Sequence, residues 1–360
     1  IDLPAFRARQ KAARAKGQLL GIGFATFSER TGYGSAAFAA RGAEIVPGWE
    51  TVILSIDPSG FVEARIGSSP HGQGLRTTLA QIIADEIGVS PDLIKVVHGD
   101  TDAAPYGWGT FASRSLVISG GATLIAAQKV RAKLIKIASH LLEAAPEDIV
   151  LTDGAAKVAG TDRSVSIAKI ARVAYTQTHN FQGEIEPGLT ETGTYDPPGT
   201  FSNACHVAIV EVDIETGRVT VEKFLVAEDA GRIINPMIAD GQVHGGIAQG
   251  IGNALLEEIV YDESGGILTA NLADYMPPTA REIPPIELHH RETPSVNSIT
   301  KAKGLGEGGA IGAPAAIINA INDALTPFDV AIDEIPATPQ RIRAALRAAS
   351  AVVPAKAGTQ

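Results

Sequence analysis

Glu307 is the residue of this sequence with the clearest potential for acid–base chemistry. It lies in KGLGEGGAIGAPAAIINAINDAL, residues 303–325, which begins as a glycine-rich turn and continues as a helix. Glycines on both sides remove side-chain bulk, so the carboxylate can approach a bound group and act as a general base. Gly304, Gly306 and Gly309 also fit G-x-G-x-x-G, a weak signal for dinucleotide phosphates at a helix N-terminus. A turn whose glutamate faces solvent is the third interpretation.

Two further glycine turns carry glutamines. Gln73 lies in HGQG and Gln242 in DGQVHGG, and each segment predicts a turn that leads into a helix. Helix N-termini attract anions because their free N–H groups and the helix dipole point outward. Glutamine amides both donate and accept hydrogen bonds. The three turns can converge on one polyanionic ligand such as a pterin dinucleotide, although each glutamine taken alone suits an ordinary turn.

The elements around these turns repeat. A predicted hairpin, TVILSIDPSGFVEARIG, precedes the Gln73 turn, and a second, HVAIVEVDIETGRVTVEKFLVAED, precedes the Gln242 turn. We interpret this as an internal duplication that gives an α+β fold. It has two elongated two-layer α–β lobes, each a mixed sheet with helices on one face.

The predicted domain boundaries follow from composition. Residues 1–17 are expected to form a linker with a basic helix, and 18–185 the first cofactor-binding lobe. A segment rich in Gly, Pro and Thr near residue 185 separates it from the second lobe, 186–345, which carries Glu307. Residues 346–360 are expected to form a tail without regular structure.

Composition excludes several classes of function. The 360 residues include 45% hydrophobic residues and carry a net charge of −10, without the basic stripe that nucleic-acid binding needs. No apolar run approaches the ~20 residues of a membrane span. Cys205 is the single cysteine, so the chain alone holds no disulfide and no cysteine-ligated iron–sulfur cluster. A single cysteine fits a reducing cytoplasm. Because the sequence begins at Ile1 and not at Met, export is not excluded.

Six stretches, in order, resemble the molybdenum-binding subunit of the xanthine dehydrogenase / aldehyde oxidase family. They are most similar to the large subunits of aerobic carbon monoxide dehydrogenase and its relatives. The stretches are GSSPHGQGLRTTLAQIIADEIGV, HGDTDAAPYGWGTFASRS, HVAIVEVDIETGRV, GRIINPMIADGQVHGGIAQGIGNALLEE, DYMPPTAREIP and KGLGEGGAIGAPAAIINAINDAL.

The resemblance implies oxidative hydroxylation at molybdenum of a small electron-poor substrate, such as an aldehyde or an N-heterocycle. It implies that Glu307 is the catalytic base. The cofactor is expected to be molybdenum with molybdopterin cytosine dinucleotide, and the pterin, not the protein, holds the metal. Gln73 and Glu307 are expected beside the metal. The implied cofactor-binding residues are Gly72, Gln73, Gly74, Ser113, Arg114, Ser115, Gln242, Gly304 and Gly306.

Partner chains are implied as well. Electrons that leave molybdenum need an iron–sulfur subunit and an FAD subunit. Family members also carry an earlier molybdenum-binding region, so we expect a separate first molybdenum-binding chain, or that this chain is a fragment. That region would hold the copper-binding loop of carbon monoxide dehydrogenases, so nothing in this sequence indicates carbon monoxide as substrate. The family's frequent aspartate–cysteine pair is Asp229-Ala230 here.

Two alternatives remain open on the sequence. The chain can be a non-catalytic or degenerate remnant that keeps the fold. It can also be an NAD-dependent dehydrogenase built on the glycines at 304–309, with Asp333 as the ribose contact. The second alternative requires a buried strand directly before the glycine turn, and none is evident in the sequence.

Overall fold

A computed structural model describes residues 1–46, 48–181 and 183–352 of the chain. The strands are β1 Leu19–Thr31, β2 Glu50–Ile56, β3 Val62–Ile66, β4 Ile94–Val97, β5 Ile149–Thr152, β6 Ala155–Val158, β7 Ser164–Ser166, β8 Thr190–Tyr195, β9 Thr200–Val212, β10 Val219–Asp229 and β11 Ile286–His290. The helices are α1 Leu3–Arg14, α2 Ser35–Ala39, α3 Leu75–Ile87, α4 Ser115–Leu142, α5 Ile167–Thr176, α6 Pro236–Leu255, α7 Gly308–Leu325 and α8 Pro339–Val352.

Two four-stranded sheets share one plan. Their strand orders are β8-β2-β3-β4 and β1-β9-β10-β11. In each, an edge strand and a hairpin pair antiparallel, and the last strand pairs parallel to the hairpin's second strand. Along the chain both follow the order hairpin, helix, strand, helix: β2-β3-α3-β4-α4 and β9-β10-α6-β11-α7. The predicted α+β fold with two mixed sheets is confirmed, and its topology has the form of a duplication.

The edge strands are exchanged between the two units, which differs from the predicted lobes 18–185 and 186–345. Strand β1 pairs with β9 along its whole length, and β8 pairs with β2. Each edge strand has a glycine at the point where it is crossed by a helix of the unit whose sheet it joins. A Cβ atom on Gly21 of β1 would lie 1.9 Å from the Ala320 carbonyl oxygen of α7, and one on Gly193 of β8 would lie 2.0 Å from the Ala122 carbonyl oxygen of α4.

The hydrophobic cores lie between each sheet and its helices. The first buries β2, β3, α3 and α4 and extends to the small sheet β5-β6-β7 and α5, and the second buries β9, β10, α6 and α7. Helix α1 packs on the opposite face of the second sheet, so that sheet has helices on both faces. The reason is that β1 and β9 also present apolar residues there, including Leu20, Ile22 and Val207.

Two predicted boundaries change at helix ends. Gln242 lies inside α6 and not in a turn before it, because Asn235 accepts a hydrogen bond from the Ile238 N–H and Pro236 occupies the first turn. Residues 346–352 of the predicted tail belong to α8, whose residues Ile342 and Leu346 are buried in the second core. The rest of the tail, 353–360, lies outside the described residues.

Candidate functional site

A cavity of about 330 Å³ lies between the two repeated units. Its walls come from the turn before α3, the loop before α4, residues 230–242 and the turn before α7. The units are tied together beside it, because the side-chain amide of Asn235 at the start of α6 donates to Gln81 of α3. A cavity of this size and position is typical of a site for a small molecule or cofactor.

Most of the residues singled out in the sequence line this cavity. They are Gln73, Ser113, Arg114, Ser115, Gln242, Gly304, Gly306 and Glu307. Gly72 and Gly74 line an adjacent cavity with Arg76 and His98. The two glycines have φ angles of 109° and 76°, so the turn that presents Gln73 requires them. A Cβ on Gly74 would also lie 2.7 Å from Ile238 of α6.

Gln73 has an unsatisfied amide at the cavity. Its Oε1 accepts a hydrogen bond from the His71 N–H at 2.8 Å. Its Nε2 is buried, and among the residues that the structure describes it has no hydrogen-bond partner. Since buried donors are nearly always paired, this amide is suited to donate to a group held in the cavity.

Ser113 fixes the position of Glu307 at the entrance of α7. Glu307 is exposed and stands at the N-cap of the helix, where its backbone N–H donates to Ser113 Oγ at 3.1 Å. The same Oγ lies 3.1 Å from Glu307 Oε2. Ala112 and Ser113 both have φ near 49°, a left-handed conformation that non-glycine residues rarely adopt. A Cβ on Gly304 would lie 2.3 Å from the Ser113 carbonyl oxygen, so only glycine allows this approach.

A second carboxyl group, Glu29 of β1, lies beside Glu307. Ser113 Oγ is 3.0 Å from Glu29 Oε1 and 3.1 Å from Glu307 Oε2, so one hydroxyl lies between the two carboxyl groups. Burial, reinforced by the neighbouring Glu307, raises the pKa of Glu29 to about 7. Sequence reasoning missed this residue. The signal was strand alternation, because Glu29 shares a face of β1 with Phe27, Ala25 and Gly23, which are directed at α7.

Two more buried titratable groups lie under α7. Burial raises the pKa of Glu228 on β10 to about 8, and the charges of Glu29 and Asp229 add to the effect. Burial lowers the pKa of His206 on β9 to about 4. Within the described part of the chain, neither side chain has a hydrogen-bond partner. Both groups are therefore favoured in their uncharged forms at neutral pH.

Comparison with known proteins decides the family. A family model described as molybdopterin cofactor-binding domain matches residues 1–284. The chain belongs to this family. The nicotine 6-hydroxylase large subunit of Paenarthrobacter nicotinovorans is 44% identical over 344 residues, which is 95% of this chain and 42% of that protein. The carbon monoxide dehydrogenase large chain of Hydrogenophaga pseudoflava is 37% identical over 352 residues, 96% of this chain and 43% of that one.

Solved structures agree. Quinoline 2-oxidoreductase from Pseudomonas putida 86 superposes with a TM-score of 0.89 at 42% identity, covering 96% of this chain and 44% of that one. The Cu,Mo-CO dehydrogenase superposes with a TM-score of 0.88 at 35% identity, over 98% of this chain and 44% of the other. The predicted resemblance to molybdenum-binding subunits is confirmed. The chain spans less than half the length of these relatives.

The residues that line the cavity have a chemistry that suits a molybdopterin cofactor. The cavity offers the unpaired Gln73 amide, the glycine turns and walls from both units. Across residues 1–46, 48–181 and 183–352, no cluster of three or more His, Cys, Asp or Glu side chains suits a metal ion.

Arg114, one of the implied cofactor-binding residues, lines the cavity, but its side chain is engaged within the protein. The side chain is fully buried and forms an ion pair with the equally buried Glu50. It also donates to the carbonyl oxygens of Gly48 and Gly109, both at 2.7 Å. The guanidinium therefore holds the loop before α4 and is not directed at a ligand. Arg232, which is exposed, lines the cavity and forms no ion pair within the described residues.

The dinucleotide-binding dehydrogenase alternative lacks its structural context. The residues before Gly304 form an isolated bridge, between Gly231 and Ala302, and not a strand of a parallel sheet. The G-x-G-x-x-G interpretation requires such a strand before the turn and a helix after it.

Among the helices described, none is both long and apolar enough to cross a membrane.

Proposed function

We propose that this chain binds molybdenum with molybdopterin cytosine dinucleotide and supplies the general base, Glu307, of a molybdenum hydroxylase. The substrate class is an aldehyde, an N-heterocycle or a similar electron-poor molecule. The observation that carries the proposal is that Glu307 and the unpaired Gln73 amide line the same cavity between the two repeated units.

The reaction converts a substrate C–H and water to C–OH with release of two protons and two electrons. When bound, the molybdenum cofactor accepts these two electrons. Glu307 takes the proton from the attacking oxygen at its carboxylate, which general-base catalysis requires to be ionised. Its exposure to the cavity and its anchoring by Ser113 suit this role.

Other residues of the chain bind and orient the cofactor. Gln73 Nε2 donates a hydrogen bond to it, and Gln242 faces it from the second turn of α6. Ser113, Ser115, Gly304 and Gly306 line the same cavity. Arg232, in place of Arg114, is the cation available to an anionic group there, because the Arg114 guanidinium is occupied by Glu50.

The active protein is a multi-subunit assembly in the bacterial cytoplasm. One relative is named the gamma subunit of the 6-hydroxypseudooxynicotine dehydrogenase complex, and others are named large subunits or chains. We expect an iron–sulfur subunit, an FAD subunit and a further molybdenum-binding polypeptide. The single cysteine supports this division, because electrons need clusters that one thiol does not hold.

Metal and nucleotide analysis of the purified assembly tests the proposal. The chain is co-expressed with its neighbouring genes in a host that makes the cofactor. The expected result is molybdenum and a released cytidine nucleotide, each equimolar with the chain. An assembly that folds but never binds molybdenum would instead support a degenerate remnant.

A further inference from the structure

Glu29 and Glu307 form a carboxyl pair across one serine hydroxyl. Ser113 Oγ lies 3.0 Å from Glu29 Oε1 and 3.1 Å from Glu307 Oε2, and it accepts the Glu307 backbone N–H at 3.1 Å. The hydroxyl has one hydrogen to donate, and ionised carboxylates only accept. Ser113 Oγ therefore satisfies both carboxyl contacts only when one carboxyl group of the pair carries a proton.

The surroundings place that proton on Glu29. Glu29 is partly buried on the inner face of β1, whereas Glu307 is exposed. Ser202 of β9 is the other hydroxyl near Glu29, at 3.4 Å, and Glu228 of β10 is a second buried carboxyl group close enough to interact electrostatically. Lys303, a cation that lines the same cavity, is engaged by Asp229 at 3.1 Å. Burial disfavours the charged form, so the more buried member of a pair keeps the proton.

We infer that Glu29 is a positioning residue for Glu307: it holds the proton that the pair shares and, with Ser113, keeps the Glu307 carboxylate directed at the cavity. This inference rests on the proposed function of Glu307 as the base. In the protonated state Glu29 donates to Ser113 Oγ, and the Ser113 hydroxyl donates to Glu307. When Glu29 ionises, two anions face each other across Ser113 and the arrangement is lost. The raised pKa of Glu29, about 7, places this change near neutral pH.

The test uses the assembled enzyme and two readouts. The first is infrared difference spectroscopy across a pH titration, which records the carbonyl stretch of protonated carboxyl groups. The wild type is expected to lose one such signal near pH 7, and Glu29→Gln is expected to lack it. Glu228→Gln is the matched control, because it removes a different buried carboxyl group and should keep that signal. Persistence of the pH 7 component in Glu29→Gln would overturn the inference.

The second readout is the pH profile of kcat. Glu29→Ala should lower kcat about ten- to hundredfold, because loss of positioning at a catalytic group has effects of this size. Glu29→Gln, whose amide still donates to Ser113 Oγ, should regain most of that loss and should lack an inflection near pH 7. Thermal unfolding and molybdenum content show whether each variant is intact. Equal kcat and an unchanged profile in Glu29→Ala would overturn the inference.

The two readouts separate this inference from the proposed function. If Glu29 carries the titrating proton but the assembly binds no molybdenum, the carboxyl pair stands and the proposed function falls. If Glu307→Gln abolishes turnover while Glu29 variants keep the wild-type pH profile, the proposed function stands and the positioning role falls. Glu222→Gln, on the same sheet but paired with Arg9 on the surface, is the control for a change of net charge.

Discussion

Arg114 and Glu50 form an ion pair from which solvent is excluded on both sides, with each side chain 0% exposed. Glu50 also accepts the Trp108 backbone N–H at 2.8 Å, and Arg114 donates to the Gly48 and Gly109 carbonyl oxygens. The pair thus joins β2 to the loop that leads into α4. That loop ends at Ser113, the residue that anchors Glu307.

Breaking this pair should destabilise the chain strongly. Glu50→Gln leaves a buried guanidinium without its counter-charge, which typically costs about 3–5 kcal/mol. The free energy of unfolding in urea measures the effect. The control is Glu63→Gln, which removes the partly exposed pair with Arg65 and should cost less than about 1 kcal/mol. If the two variants lowered the free energy of unfolding equally, the buried pair would stabilise the chain no more than the exposed one.

Substitutions at two glycines should have opposite effects on stability. Gly21→Ala introduces a Cβ only 1.9 Å from the Ala320 carbonyl oxygen, so α7 must move away from β1. Overpacking of this kind costs about 1–3 kcal/mol or more. A Cβ on Gly241 of α6 would meet no heavy atom of another element within 4 Å, so Gly241→Ala should be neutral or stabilise by up to about 1 kcal/mol. Thermal unfolding of both variants checks the signs.

Glu228 should make the stability depend on pH. Its pKa is raised to about 8, above the value of about 4.5 that it has when exposed. The folded state therefore binds the proton more tightly, so stability is fully present below pH 4.5 and declines as pH rises to about 8. Glu228→Gln should remove this decline and be more stable than the wild type above pH 8, by at most about 5 kcal/mol. The measurement is unfolding free energy against pH, with Glu222→Gln as the surface control. An identical slope in the wild type and Glu228→Gln would contradict the assignment.

Cofactor retention should depend on Arg232 and Gln73. Loss of a hydrogen bond to a charged group costs about 1.5–3 kcal/mol, so Arg232→Ala should weaken retention about ten- to hundredfold. Gln73→Ala should also release cofactor or alter the spectrum of the metal. Molybdenum content after dialysis measures the effect. Arg172→Ala removes an exposed arginine of α5 and serves as the matched control. If Arg232→Ala kept its full molybdenum content after dialysis, Arg232 would not contribute to cofactor binding.

The repeated units could be predicted from the sequence because hairpins and helix starts are local signals. Alternating apolar residues and a turn mark each hairpin. In the structure, Asp57 and Asp213 each accept a hydrogen bond from a backbone N–H of their turn. The prediction of a turn at Gln242 was wrong because Asn235 and Pro236 form an earlier and stronger helix start. The pattern of β1 indicates a strand but does not indicate a partner far along the chain.

At the site, too, local sequence signals could be predicted, whereas contacts between residues far apart in the chain could not. Glycine turns identified Glu307 and Gln73, and the family resemblance added Ser113; all three line one cavity. The role of Arg114 could not be predicted, because its partner Glu50 lies on another strand and burial decides the pairing. Glu29 was missed for a similar reason. Alternation places it on the inner face of β1, but only the packing of α7 brings it to Glu307.

The most direct test of the central claim is the turnover of Glu307→Gln in the assembled enzyme, assayed with a panel of aldehydes and N-heterocycles. The substitution keeps shape and hydrogen bonding but removes the ability to accept a proton. We expect kcat to fall at least about a hundredfold, with molybdenum content near the wild-type value. Turnover above about a tenth of wild type at full molybdenum loading would contradict the assignment of Glu307 as the base.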